Sequence, residues 1–230
     1  MMTKMGLARC TQCILKEGCW LTKLSDEFPN LAWQALSHQH FKPGETVLFE
    51  DALNQSLKII QTGLVLLGKC GTKNQTNPLA VLGQGSILGA RALSQEPEFF
   101  WAKAVSEVTV CEVGVALLPN SGEKTMQSLM SDVCGKTVSS ISEWRRVVGV
   151  RALRPRVLAA LSLLIREHGG SMRILMPPQA DLAKLLCISR ESLSKALRSL
   201  EAEGVYARIS RRLIEVDGSK FPGNKVILRS

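Results

Sequence analysis

The stretch PPQADLAKLLCISRESLSKALRSLEAEGVYARISRRLIEV, residues 177–216, decides the fold of the C-terminal part of the chain. Its pattern predicts a short helix over Gln179–Leu186, a tight turn over Cys187–Ser189 and a second helix over Arg190–Glu203 that ends near Gly204. A β hairpin, GVYARISRRLIEV, follows. This order of elements is that of a winged helix-turn-helix.

The second helix of this motif has one polar and one apolar face. Ser189 is a good N-cap, and Leu193, Leu197 and Leu200 line the predicted buried face. In a helix-turn-helix the N-terminal half of this helix enters the major groove, where charged and hydroxyl groups reach base edges. We therefore predict DNA contacts from the helix at Arg190, Glu191, Ser194, Lys195 and Arg198, and phosphate contacts from the hairpin at Arg208, Arg211 and Arg212.

The positive charge of the chain is concentrated in the same region. Residues 1–143 hold 12 Lys and Arg against 13 Asp and Glu, whereas residues 144–230 hold 17 against 7. A basic module joined to a near-neutral one indicates that only the second binds a polyanion, most simply nucleic acid. A merely soluble basic face is the alternative.

The middle of the chain has the texture of a β domain. Short runs rich in β-branched and aliphatic residues are separated by Gly, Pro, Asn and Asp turn signals from about residue 41 to 116. Their even spacing predicts a compact antiparallel β roll or barrel.

A long helix is predicted from about Ser121 to Arg151, where apolar residues recur at steps of three or four. A helix packed on its own β roll would show the same pattern, but the length of this one favours a dimer. The predicted dimer seam is Met126, Met130, Val133, Thr137, Ile141, Trp144 and Val148. Pro155 fits the first turn of the next helix, which makes Ala152–Pro155 a candidate hinge.

Three cysteines open the chain. ARCTQCILKEGCWL, residues 8–21, places Cys10, Cys13 and Cys19 in a C-x2-C-x5-C array. The start of the chain has no apolar core for a signal peptide, and no run of about 18 apolar residues predicts a membrane span, so we expect a cytoplasmic protein. In a reducing compartment, clustered cysteines are more often metal ligands or redox groups than disulfide partners.

The chain resembles the CRP/FNR family of dimeric bacterial transcription regulators over essentially its whole length. The resemblance is carried by HFKPGETVLFEDALNQSLKIIQTGLVLL, by GSILG, by the long helix and by ISRESLSKALRSLE. It implies an α+β fold with an N-terminal cyclic-nucleotide-binding-type β roll, a long dimerisation helix and a C-terminal winged helix-turn-helix. The domains would be 1–20, a cysteine-rich loop; 21–120, the β-roll sensor; 121–153, the dimerisation helix; and 154–230, the DNA-binding domain.

Two positions depart from the family pattern. Lys195 replaces the usual Arg of the recognition helix, and a point charge reads guanine less well than a planar guanidinium. Cys187 stands where the turn commonly has Gly, which suggests strain or a shifted turn. The resemblance further implies a homodimer that binds double-stranded DNA with an inverted repeat and contacts RNA polymerase.

The opening cysteines resemble those of the fumarate and nitrate reduction regulator (FNR) branch of this family, which senses oxygen through a 4Fe-4S cluster. In that branch a fourth cysteine comes from the β roll, and AVSEVTVCEV places Cys111 in the matching strand. The resemblance thus implies a cluster held by Cys10, Cys13, Cys19 and Cys111, sensitive to oxygen or nitric oxide. Zinc in the same four sulfurs, a thiol switch and a small-molecule effector in the β roll stay open as alternatives.

The remaining thiols and imidazoles have weaker claims to a metal. Cys70 is a rival fourth ligand because it also lies on a predicted strand, whereas Cys134 and Cys187 are predicted to be small buried residues. The histidines His38, His40 and His168 show no metal spacing, and the first two are predicted to lie at the surface or the entrance of the roll.

The stretch GSILGARALSQEPEFFWAKA would face the phosphate of a cyclic nucleotide in the family. Ala90 and Arg91 follow Gly89, and the later Arg-Ser pair of the nucleotide-binding members is missing, with Glu98–Trp101 in that place. Cyclic AMP is therefore an improbable ligand, although Arg91 keeps an unrelated anion possible. An enzyme is the alternative of another class, but the sequence offers no set of convergent acids and bases, so we expect none.

Overall fold

The computed structural model describes residues 13, 15, 19, 36–71, 76–118 and 123–221. The described residues of the N-terminal domain form eight strands: β1 (Leu36–Phe41), β2 (Thr46–Leu48), β3 (Ser56–Thr62), β4 (Val65–Cys70), β5 (Thr76–Leu82), β6 (Ile87–Leu88), β7 (Trp101–Ala104) and β8 (Val108–Gly114). Two short 3₁₀ helices, Ala90–Ser94 and Val115–Leu117, follow β6 and β8.

The eight strands form the predicted β roll. They pair antiparallel in two four-stranded sheets, ordered β1-β8-β3-β6 and β2-β7-β4-β5. Successive side chains of a strand point to opposite faces of its sheet, so a strand can contribute to two separate apolar clusters. On β8, Val108 and Val110 belong to the main core between the sheets, while Cys111 and Val113 face the other way.

That second face carries a smaller cluster of buried residues, which we call the outer cluster. Its members come from β3, β6, β8, the segment after β8 and the long helix: Leu57, Ile59, Ile87, Cys111, Val113, Leu118 and Val133.

Within residues 123–221, which the structure describes, four helices and three strands follow the roll. They are α1 (Glu123–Gly149), α2 (Leu153–Glu167), β9 (Arg173–Leu175), α3 (Gln179–Leu185), α4 (Arg190–Ala202), β10 (Tyr206–Arg208) and β11 (Leu213–Val216). The last three strands form a sheet ordered β10-β11-β9. Pro155 lies in the first turn of α2, as predicted, and the α+β fold class is confirmed.

The described part of the predicted α1 seam packs on its own β roll within the protomer, whereas the prediction had assigned the seam to a second chain. Val133 and Trp144 are both 0% exposed in the single protomer, and the Trp144 indole donates to the Val81 carbonyl oxygen at 3.1 Å. The Thr137 hydroxyl donates to the Ile87 carbonyl oxygen at 3.4 Å. Ile141 packs against the main core and Val148 is half-buried, while the side chains of Met126 and Met130 lie outside those described. A nearly heptad pattern has the same period whether its partner is a second helix or the sheet of its own domain.

The opposite face of α1 stays open in the protomer. Val138 is 63% exposed there. The other exposed residues of this face are small or basic: Ser131, Cys134, Gly135, Lys136, Ser139, Ser142, Arg145, Arg146 and Gly149. Six positions of the face, 131, 135, 138, 142, 145 and 149, alternate in steps of four and three.

Within the described ranges, no helix combines the length and the apolar character that crossing a bilayer requires.

Candidate DNA-binding surface and cysteine site

The recognition helix α4 begins where the sequence predicted. The Ser189 hydroxyl accepts a hydrogen bond from the Ser192 amide at 3.0 Å, which satisfies one of the free amides of the first turn. Leu193 and Leu200 are 0% exposed, so the apolar face is fixed against the domain core. The opposite face turns Arg190, Glu191, Lys195 and Arg198 to the solvent, and leaves Ser194 half-buried between them.

The carboxyl group of Glu191, at the start of α4, lies beside hydrogen-bond donors. Its own backbone amide and the Ser189 hydroxyl donate to the carboxylate and lower the pKa of Glu191 from its ordinary value. An anionic carboxylate is the state that accepts a hydrogen bond from a cytosine amino group.

The turn before α4 has an unusual backbone. Cys187 has a φ of +53°, in the left-handed region that non-glycine residues rarely adopt. The sequence predicted strain at this residue, but it also predicted a buried side chain, and the structure places Cys187 exposed. Cys134 on α1 is exposed as well, so that both predictions of buried thiols were wrong. Each of these thiols lies on an open helix face or turn, where the sequence pattern gives no signal of burial.

The three arginines of the hairpin differ in what they contact. Arg211 is exposed, and Arg208 is exposed beside Glu201 of α4, whose carboxylate accepts from its guanidinium at 3.3 and 3.4 Å. Arg212 instead donates to the carbonyl oxygens of Met176, at 2.9 Å, and Val105, at 2.8 Å. Burial lowers the pKa of Arg212 from its ordinary value.

Arg212, predicted to contact phosphate, is therefore engaged within the protein. Val105 belongs to the β roll, so this guanidinium ties the hairpin to the N-terminal domain. A cleft of about 540 Å³ separates the hairpin from the first turns of α3 and α4. Its lining includes Arg190, Arg208, Arg211 and Arg212.

A second contact joins the two domains at the end of α2. The buried carboxylate of Glu167 accepts from the Gly83 amide at 2.7 Å, and the Glu167 carbonyl oxygen accepts from the Gln84 amide at 3.2 Å. A Cβ at Gly83 would lie 1.9 Å from that carbonyl oxygen, so the close approach requires glycine. Burial raises the pKa of Glu167, and Arg166 bridges Glu167 to Glu143 of α1.

Cys111 lies on β8 within the outer cluster and is 7% exposed. Cys19 packs against the same cluster. The Cys13 sulfur accepts from the Gln61 amide nitrogen at 3.7 Å and lines a cavity together with Ile87, another member of the cluster. Three of the four predicted ligands thus border the same face of the roll, while Cys10 lies outside the described residues.

These sulfurs do not form a closed metal site. Among the residues that the structure describes, no three His, Cys, Asp or Glu side chains are grouped closely enough to hold a metal ion. Cys70, the rival fourth ligand, lies at the exposed end of β4 in the other sheet. A hydrogen bond with Glu50 raises the pKa of the Cys70 thiol, which disfavours the thiolate form that binds metals.

Reasoning from the sequence missed one neighbour of Cys111. His38 on β1 lies directly opposite Cys111 in the antiparallel pairing of β1 with β8. The two residues are far apart along the chain, so only the strand register brings them together.

The region that would face a nucleotide phosphate is occupied by contacts within the protein. The Arg91 guanidinium stacks over the Phe99 ring at 3.5 Å from its centroid, pairs with Glu96 at 3.0 Å and donates to the Pro97 carbonyl oxygen. Glu98 is 4% exposed, and its burial raises the pKa of its carboxyl group. A buried carboxyl group here disfavours a phosphate, and Arg91 would have to leave three partners to bind one.

Comparisons with known proteins agree with this architecture. A model of the cyclic nucleotide-binding domain matches residues 38–120, and a model of the Crp-like helix-turn-helix domain matches residues 155–218. The cyclic AMP receptor protein of Thermus thermophilus is 25% identical over 200 residues, which cover 84% of this chain and 89% of that protein. The nitrogen fixation regulation protein FixK of Rhizobium meliloti is 23% identical over 177 residues, which cover 76% of this chain and 81% of that protein.

Solved structures share the fold. FixK2 from Bradyrhizobium japonicum superimposes with a TM-score of 0.68 at 17% identity, over 79% of this chain and 92% of that one. A CRP-family transcriptional regulator from Thermus thermophilus superimposes with a TM-score of 0.63 at 19% identity, over 78% of this chain and 92% of that one.

Proposed function

Because the chain belongs to the CRP/FNR family of transcription regulators, we propose that it is a homodimeric regulator controlled by an oxygen- or nitric oxide-sensitive 4Fe-4S cluster. Cys10, Cys13, Cys19 and Cys111 would hold the cluster. One observation supports this more than any other. The buried Cys111 and the two described cysteines of the N-terminal array border the same outer cluster of the β roll.

The donor set suits this group. Four soft thiolates, one from a buried strand and three from a short segment of chain, are the ligands that iron-sulfur clusters prefer. When bound, the cluster supplies a centre that oxygen and nitric oxide degrade. Closing the site would bring the sulfurs of Cys13 and Cys19 together with that of Cys111 at the outer cluster.

Such a movement would reach α1 through direct contacts. Val133 of α1 is a member of the outer cluster, and Thr137, one turn later, donates to the Ile87 carbonyl oxygen. Packing at the cysteine site therefore influences the position of the N-terminal half of α1. The open face of α1 lies on the other side of these same turns.

Dimerisation would use that open face rather than the seam first predicted. Two copies of α1 packed in parallel would bury Val138 between Gly135 and Ser142 of each helix. Small side chains allow close approach but bury little apolar area, so such a dimer is weak enough for a small change at the cysteine site to shift its equilibrium.

The dimer would place two α4 helices about 34 Å apart, one turn of DNA, and so bind an inverted repeat. Arg190, Glu191, Ser194 and Lys195 would read bases, while Arg198, Arg208 and Arg211 would contact phosphates. Bound to a promoter, the dimer would contact RNA polymerase. Loss of the cluster would loosen the N-terminal segment, weaken the dimer and release DNA.

Anaerobic purification followed by quantification of iron, sulfide and zinc tests the proposal. We expect about four irons and about four sulfides per chain, with a broad visible absorption that air removes. Cys111→Ser should lose most of this iron. Cys70→Ser, the matched control on the other sheet, should keep it.

A zinc site or a thiol switch in the same regulator is the second candidate. It is favoured by the same soft donor set, which zinc binds in a tetrahedron. About one zinc per chain without visible absorption, or thiols that titrate with oxidant and no metal, would support it and contradict the cluster.

A further inference from the structure

The register of β1 against β8 brings an imidazole next to the buried Cys111. In this antiparallel pair Leu36 faces Val113, His38 faces Cys111 and His40 faces Thr109. Directly opposed residues of antiparallel strands have Cβ atoms about 4.5–5.5 Å apart and extend to the same side of the sheet. His38 is half-buried there, and on the same face of β1 it lies between Leu36 and His40.

Both flanking pairs show that side chains meet on this face. The His40 ring nitrogen Nδ1 lies 3.0 Å from the Thr109 hydroxyl oxygen. Leu36 packs against the outer cluster, to which Val113 and Cys111 both belong. His38 lies between these pairs, so its ring points to the side of the sheet that holds the Cys111 sulfur.

We propose that His38 donates a ring N–H hydrogen bond to the Cys111 sulfur when that sulfur is a metal-bound thiolate. This inference rests on the proposed function. A thiolate that ligates iron carries negative charge, and the hydrogen bonds that it accepts help to determine the reduction potential and lifetime of the cluster.

His38 is thus a positioning residue and not a ligand. Its hydrogen bond withdraws charge from the thiolate and makes oxidation of the cluster harder. Losing the bond should lower the reduction potential and speed the loss of the cluster in air. Changes in the outer shell of a metal site typically alter affinity or activity by about tenfold to a hundredfold, and we expect roughly tenfold faster loss here.

Two substitutions at His38 and one at His40 test the assignment. His38→Leu keeps an apolar side chain of similar size and removes the donor, whereas His38→Gln keeps an N–H donor. His40→Leu is the matched control, because it lies on the same strand and face but opposite Thr109. Each protein would be purified without oxygen and its iron and sulfide content, visible absorption and midpoint potential measured before timed exposure to air.

We expect His38→Leu to start with iron close to that of the wild type, to have a lower midpoint potential and to bleach roughly tenfold faster. His38→Gln and His40→Leu should stay within about twofold of the wild type. Equal potentials and bleaching rates in wild type and His38→Leu, at equal iron content and matching thermal unfolding, would overturn the role of His38 but leave the proposed function standing. A wild-type protein without iron would overturn both.

Discussion

Arg211 and Arg212 are neighbours in the sequence, yet replacing each by Ala should have opposite consequences. Arg212 makes two hydrogen bonds to carbonyl oxygens, at 2.9 and 2.8 Å, and one of them joins the hairpin to the β roll. A hydrogen bond from a charged group contributes about 1.5–3 kcal/mol to stability. Because the Arg212 side chain is only half-buried, we assign each of its two hydrogen bonds the lower value of that range. We therefore expect Arg212→Ala to lower the free energy of unfolding by about 3 kcal/mol.

At about 2–4 °C per kcal/mol for a chain of this size, that loss lowers Tm by roughly 6–12 °C. In Arg212→Ala, the slope of the logarithm of DNA affinity against the logarithm of salt concentration, measured with a random-sequence duplex, should equal that of the wild type. The reason is that the Arg212 guanidinium is engaged within the protein. Arg211→Ala should leave the free energy of unfolding within about 0.5 kcal/mol of the wild-type value. It should reduce the magnitude of the salt slope by about one for each protomer bound.

Thermal unfolding and DNA titration at several salt concentrations measure both effects on the same samples. If Arg212→Ala changed the salt slope and left Tm where it was, the guanidinium would be a phosphate contact, and the assignment of an interdomain tie would be wrong. If both substitutions changed the slope equally, the hairpin would not be docked in the way described.

Three further predictions concern α1 and α2. Val138→Glu should raise the dimer dissociation constant about a hundredfold, equivalent to about 3 kcal/mol, while Val138→Leu keeps the dimer in sedimentation experiments. Trp144→Phe should cost roughly 1–3 kcal/mol in urea unfolding, because the buried Val81 carbonyl oxygen loses its donor, and an unchanged midpoint would contradict that contact. Burial lowers the pKa of His168 from 6.5, so the unfolded chain binds the proton more readily, and stability is complete above pH 6.5 and falls as the pH drops through the folded value. His168→Gln keeps a donor to Leu164 and an acceptor for the Leu175 amide, so it should lose less stability than the wild type between about pH 7 and 5. Parallel curves for the two proteins would show that folding does not lower the pKa of His168.

The helix-turn-helix was predictable from the sequence because its signals are local. Ser189 caps α4, the leucines repeat at helical spacing, and Gly204 with a φ of +71° ends the helix, so the predicted bounds agree with the structure to within a residue. The β roll was predictable for the same reason, since turn residues separate its short strands.

The features that the sequence did not reveal depend on contacts between distant segments. The seam of α1 has the period of a coiled coil, but nothing in that period says that the roll of the same chain covers Val133 and Trp144. Arg211 and Arg212 are chemically alike, and only the docking of the hairpin on Val105 separates them. The pairing of His38 with Cys111 follows from strand register, which local sequence does not encode.

In the proposed regulator, the cysteines on the outer cluster control binding to DNA. The most direct test measures iron content, dimer fraction and DNA affinity on one anaerobic sample before and after a timed exposure to air. We predict that DNA affinity and the dimer fraction fall together with iron, and that Cys111→Ser behaves from the start like the air-exposed wild type. DNA affinity that is the same with and without iron, and the same in Cys111→Ser, would contradict the claim.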